Sequence, residues 1–266
     1  MERQLETYQK IERSIIKKFR KQLWTPFIVA VKRYELIQAG DKIAVCISGG
    51  KDSSVVAALC VEALGEDRVI GVLMPDGYQK DIGDAEQLCE HLGIKSYEIN
   101  IGNAAKAIRV AMGACGLVPS VQTKTNLPPR IRMATLFAVA QTCNGRVANT
   151  CNFSEDFLGW NTLFGDSAGQ FAPLAKLTAT EVIKIAEVLN LPENLVHKAP
   201  ADGLTDKSDE DNFGFTYDFL DIYIRTGYYG IDTATAAKID SMHDRNKFKL
   251  APMPHFDYYP EDPYRF

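Results

Sequence analysis

Hydrophobic and polar positions follow two alternating patterns along most of the chain. Short continuous apolar runs predict strands in KIAVCI (residues 42–47), RVIGVLM (68–74), KSYEINI (95–101) and GRVANT (145–150). Amphipathic periodicity predicts helices in the segments 53–64, 84–93, 129–142 and 178–190. Buried strands that alternate with helices are typical of a parallel sheet covered on both faces. We therefore expect an open, doubly wound α/β fold with a mostly parallel sheet.

The first forty residues form a helical lead with a pattern of its own. Helical spacing is kept by the apolar residues Leu5, Ile11, Ile15, Ile16 and Phe19. A second helix is predicted from Pro26 to about Ile37. The segment contains nine basic residues against four acidic ones, and we interpret its basic face as a solvated surface. The chain is thus divided into this lead, 1–40, and one α/β domain, 41–266.

Composition narrows the class of protein. The chain has 266 residues, 46% of them hydrophobic and 24% charged, and a formal net charge of -4, as is ordinary for a soluble globular protein. No apolar run reaches the roughly eighteen residues of a membrane span, and the N-terminus lacks a secretory signal pattern. The six cysteines contain no CxxC pair. We expect reduced thiols in a cytoplasmic protein, without a structural zinc or an iron–sulfur cluster.

A glycine-rich loop, SGGKDS, lies between the first predicted strand and the helix that follows it. It consists of Ser48, Gly49, Gly50, Lys51, Asp52 and Ser53. Its glycines allow a close approach of the backbone to a ligand, and the N–H groups at the helix start favour an anion. An aspartate at such a site indicates a nearby cation, for which Mg²⁺ is suited. Ligands of doubly wound sheets bind beyond the carboxyl ends of the strands, where this loop, MPDGYQKD and NTCNFSED are expected to meet.

The predicted strand, the SGGKDS loop and the helix together resemble the signature of the ATP pyrophosphatase (PP-loop) superfamily. This resemblance implies cleavage of ATP between its α and β phosphates, with pyrophosphate held on the loop and an oxygen of the substrate adenylated. Two families of the superfamily are similar to different parts of the chain. Residues 1–52 resemble tRNA 2-thiocytidine synthetases. Residues from about 51 to 250 resemble ammonia-dependent NAD synthetases, in stretches such as GRVANTCNFSEDFLGWNTLFGDSAG.

Cysteine usage favours the second family. The thiolation family needs a CxxC pair and a further cysteine to hold an iron–sulfur cluster, and this chain has no CxxC. The resemblance to NAD synthetases then implies a set of site residues. ATP contacts fall on Ser48, Gly49, Gly50, Lys51, Asp52, Ser53, Thr150 and Lys198. Asp52 and Glu155 are implied as catalytic residues and magnesium ligands. Substrate contacts fall on Arg130, Gln170 and Lys249.

The chain also departs from the pattern of this family. Many members carry a basic residue at the position of Leu163 and an aspartate at the position of Gln170, and both would face deamido-NAD. Ala179 and Ala201 replace a lysine and a hydroxyl residue that contact ATP in some members. These changes hardly affect the expected fold and the use of ATP, but they bear on affinity for the dinucleotide and on activity itself.

We therefore expect ATP-dependent amidation of deamido-NAD by ammonia through an acyl-adenylate, giving NAD, AMP and pyrophosphate, with Mg²⁺ as cofactor. The resemblance also implies a homodimer, and segments 76–86 and 203–215 are candidate lids. No nucleic-acid or membrane partner is expected. Two alternatives stay open. The basic lead suggests a tRNA-modifying enzyme of the thiolation type. Leu163 and Gln170 suggest an ATP-binding homologue with an altered carboxylate substrate or without turnover.

Overall fold

The structure, a computed structural model, describes residues 5–198, 208–227 and 232–254. The strands are β1 Lys42–Cys46, β2 Val69–Leu73, β3 Lys95–Glu98 and β4 Gly145–Ala148. The helices up to β4 are α1 Thr7–Phe19, α2 Thr25–Arg33, α3 Lys51–Leu64, α4 Ile82–Leu92, α5 Gly102–Ala114 and α6 Val121–Thr142. The later helices are α7 Phe153–Leu158, α8 Ala179–Val188, α9 Glu193–Val196, α10 Asp209–Phe213, α11 Tyr217–Thr226 and α12 Thr233–Asn246.

The four strands of the described residues form one parallel sheet in the order β3-β2-β1-β4. The chain moves outwards from β1 to β2 and β3, and then returns to place β4 on the other side of β1. The order of strands therefore reverses between β1 and β4, and a crevice opens there beyond their carboxyl ends. This arrangement confirms the predicted parallel α/β sheet.

Helices cover both faces of the sheet. Ile43 and Val45 of β1 pack into a core shared with α3, α4 and α8. Ala44, which points to the other face, packs with Met133 and Leu136 of α6. Alternation of neighbouring strand residues between two apolar layers is the arrangement that a doubly wound fold requires. The edge strand β3 differs, since Lys95, Ser96 and Glu98 are exposed.

The helical lead packs into the same core as the sheet. Helices α1 and α2 are joined by a π-helical turn, Arg20–Trp24, and Ile15 of α1 is buried against the core next to the sheet. α1 lies against α8 and α11. α2 ends at Arg33, short of the predicted end, because Glu35 adopts a left-handed backbone conformation with φ of 49°.

Several helices lie outside the predicted segments. α6 begins at Val121, capped by the Ser120 hydroxyl, and continues through Pro128 and Pro129. α5, α11 and α12 have no counterpart among the sequence predictions. In residues 5–198, 208–227 and 232–254, no helix has the length and apolar character that crossing a membrane requires.

Candidate active site

The SGGKDS loop leaves β1 at its carboxyl end and turns directly into α3. The Ser53 hydroxyl accepts a hydrogen bond from the Ser48 backbone N–H at 3.3 Å and donates to the Gly50 carbonyl at 3.1 Å. Gly49 has a φ of 78°, and a Cβ added there would lie 2.7 Å from the Cβ of Asp84 at the start of α4. The loop is therefore closed on itself and packed against α4, with the free N–H groups of the first turn of α3 beside it.

Asn152 links this loop to the segment that follows β4. Its side-chain amide donates to Asp52 Oδ1 at 3.0 Å, while its Oδ1 accepts from the backbone N–H groups of Ser154 and Glu155. In return, Glu155 Oε2 accepts from the Asn152 backbone N–H at 3.2 Å, which completes a capping box at the start of α7. Asp52 and Glu155 are thus held on one buried asparagine, in the crevice between β1 and β4.

Lys51 lies inside the same group of carboxylates. Its side chain is only 5% exposed, and its Nζ is 2.8 Å from Asp52 Oδ2. Burial lowers the pKa of Lys51, but the charges of Asp52 and Glu155 outweigh this effect and raise it above the ordinary value. Burial and the charge of Asp52 raise the pKa of Glu155, whereas Lys51 acts in the opposite direction. Asp52 and Glu155, which both contact Asn152 and repel each other, favour a nearby positive charge, and Lys51 supplies one.

A second layer of hydrogen bonds supports α7. The Ser154 hydroxyl donates to the Asp221 carboxylate of α11 and accepts from the Ala179 backbone N–H at 3.0 Å. The other oxygen of Asp221 accepts from the backbone N–H and the hydroxyl of Thr180, both at 2.8 Å. Burial raises the pKa of Asp221, although these hydrogen bonds oppose the shift. α7, α8 and α11 are therefore joined directly behind Glu155.

A cleft of about 190 Å³ is lined by Asn149, which follows β4, by Asp156 of α7 and by two of the predicted substrate residues, Gln170 and Lys249. Gln170 Oε1 accepts from the Val147 backbone N–H at 2.8 Å, so that the side chain pairs with the edge of β4. Lys249 Nζ donates to the carbonyls of Gly159 and Asn161, and burial lowers its pKa. Asn161 Oδ1 is buried without a hydrogen-bond partner among the described residues. The cleft is therefore lined by a lysine whose amine is held in place by two backbone carbonyls.

The other predicted site residues lie around this centre. Thr150 lies two residues after the end of β4 and is half-buried. Arg130 is exposed on α6, and its Nε donates to the Leu163 carbonyl at 3.2 Å. Lys198 Nζ forms ion pairs with Asp81 and, at 2.6 Å, with Asp84. Lys198 therefore lies at the start of α4, against which Gly49 also packs, and its charge is paired with two aspartates.

Comparison with known proteins identifies the family. The model of the family described as NAD synthase matches residues 28–253. The chain is 40% identical over 182 residues to the NH(3)-dependent NAD(+) synthetase of Methanococcus aeolicus, covering 66% of this chain and 70% of that protein. The chain belongs to the NAD synthase family.

Solved structures support the assignment to the NAD synthase family. The structure of NMN synthetase from Francisella tularensis matches with a TM-score of 0.76 and 27% identity, over 95% of this chain and 100% of that one. The NH3-dependent NAD synthetase from Campylobacter jejuni matches with a TM-score of 0.70 and 26% identity, over 96% and 100%. The family match begins at residue 28, so α1 lies before it.

Sequence reasoning missed several residues that build the site of this NAD synthase family member. Asn152 was detectable, because an asparagine followed three residues later by glutamate is the pattern of a capping box. Tyr217, whose ring centre lies 5.7 Å from Lys51 Nζ, and Asp221 carry no such local signal, since α11 reaches the site only through the tertiary fold. Asp166 is also at the site: its Oδ1 accepts from the Thr162 backbone N–H at 2.7 Å, and burial raises its pKa. Ala201 and residues 203–207 lie outside the described residues.

The carboxylate pair fits a magnesium ion that also binds nucleotide phosphates. The described part of the chain contains no cluster of three or more His, Cys, Asp or Glu side chains arranged for a metal. Mg²⁺ in nucleotide enzymes takes only one or two protein carboxylates, with phosphates and water as its other ligands. Asp52 and Glu155 supply that number of carboxylates. Burial, and after it the charge of Asp52, raise the pKa of Glu155, and a bound cation would favour its ionised form.

Proposed function

We propose that this NAD synthase family member catalyses the ATP-dependent amidation of deamido-NAD by ammonia, giving NAD, AMP and pyrophosphate. One observation carries the proposal. The phosphate-binding loop with Asp52 and the helix start with Glu155 are joined by Asn152 at the point where strand order reverses. An ATP bound there would lie with its phosphates against the start of α3 and its α-phosphorus towards the neighbouring cleft.

In the first step, the nicotinate carboxylate of the substrate attacks the α-phosphorus of ATP, and pyrophosphate leaves. The loop amides and the hydroxyls of Ser48 and Ser53 hold the leaving pyrophosphate. Asp52 and Glu155 would hold Mg²⁺, which supplies neutralisation of the charge that develops on the phosphates when it is bound. Lys249 in the cleft attracts the anionic substrate. Catalysis in this step rests on positioning and electrostatics.

In the second step, ammonia attacks the carbonyl carbon of the acyl-adenylate, and AMP leaves with the pair of electrons of the broken C–O bond. Formation of the amide releases one proton. Asp156 lines the cleft and has a pKa raised by burial, and it is the group placed to accept this proton. No protein nucleophile is required by this chemistry.

We further propose that the enzyme is a homodimer in a reducing compartment, the cytoplasm. An exposed apolar surface extends from the end of α5 to the start of α6 and includes Val110, Leu117, Val118 and Val121. Such a surface supports association with a second copy. All six cysteines are unpaired thiols, which supports the reducing compartment.

A second substrate has specific support. The similarity to NMN synthetase extends over the whole of that chain. Gln170 directs its side-chain oxygen to the backbone of β4 instead of offering a carboxylate to the cleft. The acid precursor of NMN is a mononucleotide and presents the same nicotinate carboxylate, so that it would undergo the same two steps. It is the second candidate substrate.

The test is product formation from ATP, Mg²⁺ and ammonium with either deamido-NAD or the mononucleotide acid. We expect AMP and NAD in equal amounts from deamido-NAD, with kcat/KM higher than for the mononucleotide. Asp52→Ala should lose the activity, since it removes a phosphate-site carboxylate and the partner of Asn152. Asp67→Ala, an exposed aspartate after α3, is the control and should retain full activity.

Other outcomes reject parts of the proposal. A preference for the mononucleotide would make the chain an NMN synthetase by activity. AMP formation without either amide would reject both substrates, and tRNA and other carboxylates would then be tried. Equal activity in Asp52→Ala and Asp67→Ala would reject the site itself.

A further inference from the structure

Lys51 is the residue of the phosphate-binding loop with the most unusual surroundings. Its ammonium pairs with Asp52 Oδ2 at 2.8 Å and lies 5.7 Å from the centre of the Tyr217 ring. The Tyr217 hydroxyl donates in turn to the carboxylate of Asp209 at 3.1 Å. The charges of Glu155 and Asp221 also act on it. Lys51 is thus a buried cation surrounded by acidic side chains.

Such a position requires a reason, because moving an ammonium out of water is costly unless opposite charge compensates it closely. The first turn of a helix is also an unfavourable place for a cation, since the N-terminal end of the helix dipole is positive. Lys51 is the first residue of α3. The compensation comes from the carboxylates that line the proposed magnesium site, and above all from Asp52.

We propose that Lys51 is a resident counter-ion of the Asp52–Glu155 pair, which keeps divalent metal out of the free enzyme until ATP arrives. Its charge neutralises the carboxylates without a metal and repels a second cation a few ångströms away. ATP phosphates add negative charge to the loop, and the site then accepts Mg²⁺ together with the nucleotide. Metal and ATP therefore enter as one unit. This inference rests on the proposed role of Asp52 and Glu155 as metal ligands.

The experiment measures metal binding alone, without deamido-NAD, ammonia or turnover, so that it fails independently of the amidation reaction. Free Mn²⁺ is quantified by electron paramagnetic resonance in titrations of purified protein at pH 8, and Mg²⁺ serves as competitor. Lys51→Met removes the charge and keeps most of the side-chain volume. Lys238→Met is the matched control, because Lys238 also lies over an aromatic ring, that of Phe215 at 5.9 Å, but it is exposed, whereas Lys51 is buried.

We expect Lys51→Met to bind Mn²⁺ at least about tenfold more tightly than the natural protein in the absence of nucleotide. Lys238→Met should bind it as the natural protein does. Adding a non-hydrolysable ATP analogue should tighten Mn²⁺ binding strongly in the natural protein and much less in Lys51→Met. Unchanged or weaker metal binding by Lys51→Met would overturn the proposal.

Two further variants keep the test decisive. Lys51→Gln retains a hydrogen-bond donor for Asp52 and replaces Lys51→Met if the latter does not fold, with the same tenfold criterion. The double variant Lys51→Met with Glu155→Gln should lose the additional Mn²⁺ affinity that Lys51→Met alone shows. Retention of the tight site in the double variant would place the metal elsewhere and also overturn the proposal.

Discussion

Asn152 offers the sharpest test of how the site is assembled. The substitution Asn152→Ala removes a side chain that is fully buried and that serves two different purposes. It caps α7 through the N–H groups of Ser154 and Glu155, and it donates to Asp52, one hundred residues earlier in the sequence. Loss of this side chain should therefore destabilise the fold and separate the two halves of the proposed ATP site.

The magnitude follows from these contacts. Loss of an N-cap costs about 0.5–2 kcal/mol of unfolding free energy. Loss of a buried hydrogen bond to a charged group costs about 1.5–3 kcal/mol more. We expect a total loss of about 2–5 kcal/mol for Asn152→Ala. The matched control is Asp232→Ala, which removes the cap of α12, where Asp232 Oδ1 accepts from the N–H groups of Ala234 and Thr235.

The assay is urea unfolding followed by far-ultraviolet circular dichroism, with the m-value checked for each variant. Asp232→Ala should lose only the cap contribution, about 0.5–2 kcal/mol. The difference in unfolding free energy between the two variants then measures the contribution of the buried hydrogen bond from Asn152 to Asp52. Equal losses in both variants would refute the reasoning, because Asn152 would then act as a helix cap and nothing more.

Two further predictions concern the lead and the loop. Ile15→Ala should lower the free energy of unfolding by about 2–4 kcal/mol, because the side chain is buried in the main core. Ile16→Ala, at a position 49% exposed, should lower it by about 1 kcal/mol or less. Similar losses for both variants in thermal or urea unfolding would contradict the packing of α1. Gly49→Ala should lose ATP binding and about 2 kcal/mol or more of stability, since its φ is 78° and the new Cβ would meet Asp84. Gly83→Ala, whose new Cβ would meet no atom within 4 Å, should leave ATP binding and stability intact. Isothermal titration with ATP and urea unfolding measure the two effects, and normal ATP binding by Gly49→Ala would contradict the loop geometry.

The two central strands β1 and β2 were predictable from sequence because they are short and almost entirely apolar runs, KIAVC and VIGVL. β1 and β2 lie within the segments predicted for them, and α8 begins at Ala179, within the predicted helical segment 178–190. The start of α6 was harder to predict, because Pro128 and Pro129 are typical of the first turn of a helix and the predicted helix begins at Pro129. In the structure, α6 begins seven residues before Pro128, at Val121. Local signals fail where tertiary packing stabilises a helix in spite of its prolines.

The chemical character of the site was predictable only in part. The SGGKDS loop and Glu155 follow adjacent strands, so their meeting follows from the strand order. The pairing of Lys198 with Asp81 and Asp84, and of Gln170 with the edge of β4, does not follow from any local pattern. The resemblance implies contacts of Lys198 with ATP and of Gln170 with the substrate. In the structure, both long side chains bind to neighbouring protein groups. Their roles towards ligands stay predictions.

The helical lead is connected to Glu155 by a continuous series of packing contacts and hydrogen bonds through α8, α11 and α7. α1 packs on α8 and α11. The first turn of α8 and the middle of α11 meet at Asp221, which holds Thr180 and the Ser154 hydroxyl, one residue before Glu155. Loss of the apolar contact of Ile15 would loosen α8 and α11 together, and with them the support of α7. The same Ile15→Ala variant should therefore weaken metal–ATP binding more than Ile16→Ala does, although neither residue touches the site.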